Sequence, residues 1–245
     1  MGIAHRLMKD GVPVVGVPKT IDNDLRGTDI TFGFDTAVAI ATEAIDRLHT
    51  TAQSHHRVMI VEVMGHRAGW IALYAGVAGG GDIILIPEIP YDLDAVVAKV
   101  KERNRKGRRF SIVVVAEGAY PKGGTTSLIE AAHGRTAERL GGMGVLVCEA
   151  LHNETGKETR SVVLGHLQRG GAPTSFDRIL ATRFGGKAVE LAKRGEFGTM
   201  VAFAPPDIVA RQIVDVVGKT KTVPMDFDLL ATARALGVTF GDSLG

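Results

Sequence analysis

Residues 12–24 read Val-Pro-Val-Val-Gly-Val-Pro-Lys-Thr-Ile-Asp-Asn-Asp. A short apolar run passes straight into a cluster of polar side chains, the pattern of a buried strand that ends in a loop. Four further runs rich in Val and Ile follow, at Val58–Val63, Ile83–Ile86, Ser111–Ala116 and Ser161–Leu164. Helical spacing lies between them. Over Phe34–Ala52, Val38, Ala41, Ile45 and Leu48 share one face, while Glu43, Asp46 and Arg47 fall mostly off it. Asp92 is a suitable N-cap for a second helix, with Asp94 in its first turn and Val96, Val97 and Val100 before Gly107. A third helix is expected from Ser175 through Ile179, Phe184 and Val189 towards Gly195. Strands alternating with helices predict an α/β fold with mostly parallel sheets covered on both faces, where ligands sit at the carboxyl ends of the strands.

Composition narrows the function classes. The 245 residues are 45% hydrophobic, ample for a packed core. The 29 basic and 27 acidic residues leave a net charge of +2 and are spread along the chain. No basic stripe suits a nucleic-acid backbone, so an anion must be met by a local cluster. No apolar stretch approaches the roughly 18 residues of a membrane span. Cys148 stands alone and cannot form an intrachain disulfide, and the first residues lack a signal-peptide core, which predicts a cytoplasmic protein. The 31 glycines beside 5% aromatics suit tight strand-to-helix turns.

The loop after Val17 gathers an ammonium group (Lys19), a hydroxyl (Thr20), an amide (Asn23) and two carboxylates (Asp22 and Asp24). A plain turn would account for Pro, Asn and Asp here. Phosphoryl transfer would also use such a set, since it needs a base, a metal-binding carboxylate and a cation close together. Other features carry less. His55-His56 is read as a strand pair facing opposite ways and therefore not a metal site. Gly141-Gly142-Met143-Gly144 resembles part of a dinucleotide fingerprint but has no strong strand before it. Trp70 and Cys148 are read as core residues.

The segment PKTIDND resembles the catalytic loop of the phosphofructokinases. TFGFDTA, HHRVMIVEVMGHRAGW, VVVAEG, ETRSVVLGHLQRGG and FDRILATRFG resemble segments of the same family in the same order. The resemblance implies two Rossmann-like three-layer α/β domains with mostly parallel sheets and an active site in the cleft between them. Residues 1–33 with 168–222 would belong to the phosphoryl-donor domain, here incomplete, and 34–167 with 223–245 to the fructose 6-phosphate domain. Asp22 would be the general base towards the sugar's 1-hydroxyl. Thr20 would contact the transferring group, Lys19 would assist it, and Ile21 would lie against the substrate. Asp24 would help to hold Mg2+. Met64, Gly65, His66, Glu117, His166 and Arg169 would bind the sugar phosphate. Arg57 and Arg160 would reach into a neighbouring subunit's site, which makes a homo-oligomer the expected state.

Two departures qualify this reading. The family usually has Met-Gly-Arg where this chain has Met64-Gly65-His66-Arg67, so an arginine contact there is not assured. Ile3–Lys9 reads as the end of a helix whose preceding strand and glycine-rich nucleotide loop are not in the sequence, which predicts a poorly stable chain with exposed sheet edges. The expected activity is transfer from ATP to fructose 6-phosphate. Pyrophosphate as donor, or a sugar-phosphate-binding chain without turnover, are the alternatives. Lys19 decides neither donor, because lysine there is typical of pyrophosphate-using members and of a related ATP-using group.

Overall fold

The computed structural model describes residues 1–130 and 139–243. In chain order the first elements are α1 (Gly2–Lys9), β1 (Val15–Gly16), α2 (Phe34–His55), β2 (Val58–Val63), α3 (Trp70–Ala78), β3 (Ile83–Leu85), α4 (Leu93–Arg105), β4 (Ser111–Ala116), β5 (Leu128–Glu130) and β6 (Arg139–Leu140). There follow α5 (Met143–Thr155), β7 (Thr159–Val163), a 3-10 turn (Gly165–Arg169), α6 (Ser175–Lys193), β8 (Thr199–Ala204), β9 (Asp207–Gln212), α7 (Ile213–Val216) and α8 (Asp228–Ala235). They form two compact units, residues 1–37 with 171–221 and residues 38–170 with 222–245.

The larger unit is built on a four-stranded sheet, all parallel, in the order β3-β4-β2-β7. Every residue of β2, β3 and β4 is buried, which is why these strands read as almost wholly apolar runs, interrupted by Glu62 and opened by Ser111, rather than as alternating ones. Val58, Ile60, Val113 and Val115 point to one face and pack with Val96, Val97 and Val100 of α4 and with Met143, Val147 and Leu151 of α5. The opposite face carries Ile84, against which Gly76 of α3 lies so closely that a Cβ there would sit 2.7 Å from the Ile84 side chain. Helix α4 starts as expected, with the Asp92 carboxylate accepting from the Asp94 amide at 2.9 Å. Glu88, after β3, accepts from the Gly69 amide at the start of α3 (3.0 Å) and from the Val223 amide (2.8 Å).

In the smaller unit, β1 runs parallel to β8, and β8 and β9 form an antiparallel hairpin. Leu180, Phe184 and Leu191 of α6 cover one face together with Val201. Met200, Ala202, Ile213 and Val216 pack on the other, with Ala4 and Met8 of α1 beside them.

Several sequence expectations are corrected. The strand expected over residues 12–17 shrinks to Val15–Gly16, because Pro13 has no amide hydrogen and the Val12 amide turns back to the Leu7 carbonyl at 3.0 Å. His55 ends α2 and His56 has φ 55°, so the pair does not lie on a strand at all. Gly141-Gly142-Met143-Gly144, discounted as a dinucleotide fingerprint from its sequence context, indeed leads into α5, where a carboxylate of this chain already takes its amides. Helix α3 and the β8–β9 hairpin were not anticipated. Among the described residues no helix is long and apolar enough to cross a membrane.

Burial raises the Glu88 pKa above its ordinary 4.5, against the pull of the two amide bonds. The folded state therefore holds this proton more tightly than the unfolded chain, and its contribution to stability declines as pH rises from 4.5 through the folded pKa. Glu88→Ala leaves two buried amides without an acceptor and is expected to cost about 2–3 kcal/mol in urea unfolding. Glu88→Gln keeps one oxygen where both amides converge and should cost under about 1 kcal/mol while removing that pH slope.

Candidate active site

In the larger unit the neighbouring strands β4, β2 and β7 end on the same side, and a cleft of about 300 Å³ opens at their carboxyl ends. Met64, His66, Glu117, His166 and Arg169 line it, each within a few residues of a strand end. The turn after β2 is tightly specified. Gly65 has φ 143° and His66 φ 53°, and the Glu117 carboxylate holds both by accepting their amides at 3.3 and 2.8 Å. A Cβ on Gly118 would lie 2.2 Å from the His66 carbonyl oxygen, so only glycine lets the segment after β4 approach this turn. Gln168, 1% exposed, accepts the Met64 amide at 2.8 Å and so ties the turn carrying His166 and Arg169 to the end of β2.

Glu62 also lines the cleft and is itself only 2% exposed. Its two oxygens accept the Gly142 and Gly144 amides at 3.0 and 2.7 Å, where the start of α5 presents unpaired N–H groups and a partial positive charge. The cleft thus combines a permanent cation, two imidazoles and carboxylates held by main-chain amides. That set can recognise a polyol bearing an anionic group, with Arg169 suited to the anion and the others to hydroxyls.

The smaller unit carries the loop of residues 18–24. The Thr20 hydroxyl donates to the Asp22 carboxylate at 3.2 Å and accepts the Asp22 amide at the same distance. The Thr31 hydroxyl donates to the Thr20 carbonyl at 2.7 Å, and Lys19 bridges to Phe32 through the backbone with its side chain exposed. Asn23 is buried with φ 53°, and its side-chain oxygen accepts from the Thr31 amide (3.1 Å) and from the Lys221 ammonium (2.9 Å). Burial lowers the Lys221 pKa to about 8, while Asp29 and Asp24 pull it upward. Beside the loop, Asp177 of α6 accepts the Gly33 and Thr36 amides, both at 2.8 Å.

Of the expected site residues, the structure gathers Met64, Gly65, His66, Glu117, His166 and Arg169 around one cleft, and Lys19, Thr20, Ile21, Asp22 and the expected metal ligand Asp24 on one loop. His66 faces the cleft, while Arg67 is exposed and outside its lining. Arg57 and Arg160 lie elsewhere, near the amino ends of β2 and β7, where both contact Glu158 at 2.9 and 2.5 Å. The Arg57 hydrogen bond, with further help from Arg160, lowers the pKa of Glu158. Sequence reasoning missed Glu62, Gln168 and Lys221. Glu62 left a signal, since it is the one charge in an otherwise apolar strand and such a group needs partners when buried. Lys221 left none, because its partners lie almost two hundred residues away.

Comparison with known proteins agrees with the resemblance. The chain is 57% identical over 242 residues to the ATP-dependent 6-phosphofructokinase of Chloroflexus aurantiacus, covering 99% of this chain and 66% of that protein. It is 56% identical over 230 residues to the pyrophosphate--fructose 6-phosphate 1-phosphotransferase of Amycolatopsis mediterranei, covering 92% and 66%. The chain thus spans just under two thirds of the length of these curated relatives. The fold superimposes on the crystal structure of the pyrophosphate-dependent phosphofructokinase from Marinobacter aquaeolei with a TM-score of 0.76 at 26% identity, covering 92% of this chain and 58% of that one. The phosphofructokinase family model matches residues 1–192, and with the relatives it establishes that this chain belongs to the phosphofructokinase family.

Proposed function

We propose that the chain serves transfer of the γ-phosphoryl group of ATP to the 1-hydroxyl of fructose 6-phosphate, giving fructose 1,6-bisphosphate and ADP. The observation that carries this reading is the loop of residues 18–24, in which Thr20 orients the Asp22 carboxylate. Asp22 accepts the proton of the attacking hydroxyl. A loose phosphoryl-transfer transition state asks for little proton removal early, so orientation matters more than basicity. The amide of Asp22 bonds to Thr20 as well, so the pair moves as one piece. In the larger unit, Arg169 and His166 take the 6-phosphate, and Glu117 with His66 faces the sugar hydroxyls.

The donor set suits magnesium. This ion favours one or two carboxylates with water and substrate phosphate over a closed protein cage. Asp24 fits, since its carboxylate accepts no hydrogen bond among the described residues and the group is partly exposed. When bound, the ion would neutralise charge on the donor phosphates. Pyrophosphate is the second reading for the donor, supported by the activity for which the Amycolatopsis relative is named, while Lys19 is compatible with either donor. Arg57 and Arg160 support a homo-oligomer in which they complete the neighbouring subunit's site, since they converge on Glu158 beside the amino end of β7, the partly exposed edge strand of its sheet.

Incubating the chain with fructose 6-phosphate and Mg2+, with ATP and pyrophosphate offered separately, is expected to give fructose 1,6-bisphosphate from ATP. Asp22→Asn should lower turnover on the order of 10²- to 10⁴-fold with sugar-phosphate binding nearly unchanged. Undiminished turnover in that variant would end the general-base assignment. Gly118→Ala, which drives a methyl group into the His66 carbonyl, should weaken sugar-phosphate binding and lower stability by about 1–3 kcal/mol, read by calorimetric titration and urea unfolding.

A further inference from the structure

Lys221 lies far from the loop in sequence, yet its ammonium group has three acceptors there: Asn23 Oδ1 at 2.9 Å, the Thr28 carbonyl at 3.1 Å and the Asp29 carbonyl at 2.8 Å. An ammonium has three N–H bonds, so this arrangement can use all of them. The backbone of the same segment adds to the grip. The Lys221 amide donates to the Asp24 carbonyl at 2.7 Å, Thr220 pairs antiparallel with Leu25, and the Arg26 side chain donates to the Thr220 carbonyl at 3.3 Å.

The consequence lies in what Asn23 separates. It stands between Asp22 and Asp24, and its left-handed backbone sets the directions in which the two flanking carboxylates leave the chain. Asn tolerates φ 53° better than other non-glycine residues, and contacts with its surroundings select this state from the alternatives open to the loop. Here the fixing contacts are on its own side-chain oxygen, which accepts from the Thr31 amide and from Lys221 at once.

We propose that Lys221 is a positioning residue for the reaction, holding Asn23 so that Asp22 and Asp24 keep their relative directions. It acts through Asn23 and the 28–29 carbonyls, to which its ammonium group donates. The inference rests on the phosphoryl-transfer reading for its kinetic effect but not for its structural one. A displacement of about 1 Å at the reacting groups is enough to cost on the order of 100-fold in rate.

The test measures amide hydrogen exchange and steady-state kinetics on the 245-residue chain and its Lys221→Met and Lys221→Gln variants. The expected result is faster exchange at Asp22, Asn23, Asp24 and Thr31, by about tenfold or more, with the β8–β9 amides unchanged. Turnover should fall on the order of 100-fold while KM for fructose 6-phosphate stays within about twofold. Adding Asn23→Ala to Lys221→Met should cost little more than either change alone, because the two act as one unit. Unchanged loop exchange overturns the proposal, as does acceleration spread equally over β8 and β9, which would mark Lys221 as a general support of the unit. Independent, additive effects of Asn23→Ala and Lys221→Met overturn it too. Should Lys221→Met fail to fold, Lys221→Gln, which keeps a shorter polar side chain, carries the same measurements. Absence of turnover in the unsubstituted chain counts against the phosphoryl-transfer reading alone, and the exchange data then decide the role of Lys221.

Discussion

A carboxylate withdrawn from water needs donors, and a helix start or tight turn has main-chain N–H groups that need acceptors. Among the described residues, each requirement answers the other four times. Glu62 takes the amides of Gly142 and Gly144, Glu88 that of Gly69, Glu117 those of Gly65 and His66, and Asp177 those of Gly33 and Thr36. In all four a glycine amide is among the donors, and at Gly33, Gly65 and Gly142 the backbone also has positive φ. The glycine-rich composition thus has a local meaning: it lets backbone come close enough to be held by an acid from another element. The turns at the strand ends depend on these acids, and the cleft depends on those turns.

The parts of the fold that could be read from sequence are those whose signals are short in range. Strands β2 and β4 match their apolar runs to the residue, because both faces of the sheet are covered and nearly every position is apolar, Glu62 and Ser111 being the exceptions. The Asp92 cap and the start of α6 at Ser175 were equally visible. Helix α3 was hidden for the reason that made the strands plain. Trp70, Ile71, Ala72, Leu73, Ala75 and Gly76 are all buried, so no polar face marks a helical period. The hairpin β8–β9 was hidden by Pro205-Pro206 between its strands and by the glycines and charges before it. For the candidate site, contiguous motifs pointed to His66, Glu117 and His166, which line one cleft, and to Asp22 on its loop, whereas Gln168 and Lys221 act on main-chain groups elsewhere and no local pattern records that.

Strand polarity sorts the charged groups of the larger unit. Side chains following the carboxyl ends of β2, β4 and β7 line a cleft, while Arg57 and Arg160 converge on Glu158 towards the amino ends. With a rise of about 3.3 Å per residue, the six residues of β2 separate the two groups by roughly 16 Å or more. One carboxylate shared by two guanidinium groups leaves a net positive charge on an edge of the sheet, where solvent weakens each pair and little folding energy is tied up in them.

The bond from Lys221 to Asn23 spans 198 residues, and the pairing of Val15 and Gly16 with Thr199 and Met200 spans nearly as many. On the ribosome, the segment bearing Asp22 emerges early and waits for its anchors. At about 5–20 residues per second that delay is on the order of 10–40 seconds. The larger unit has by then exposed most of its strands to the exit vestibule and can fold first. The nascent polypeptide therefore passes through a long interval in which its acidic loop is already made but not yet shaped, and vectorial synthesis alone ensures that this loop matures only after the segment bearing Lys221 has emerged.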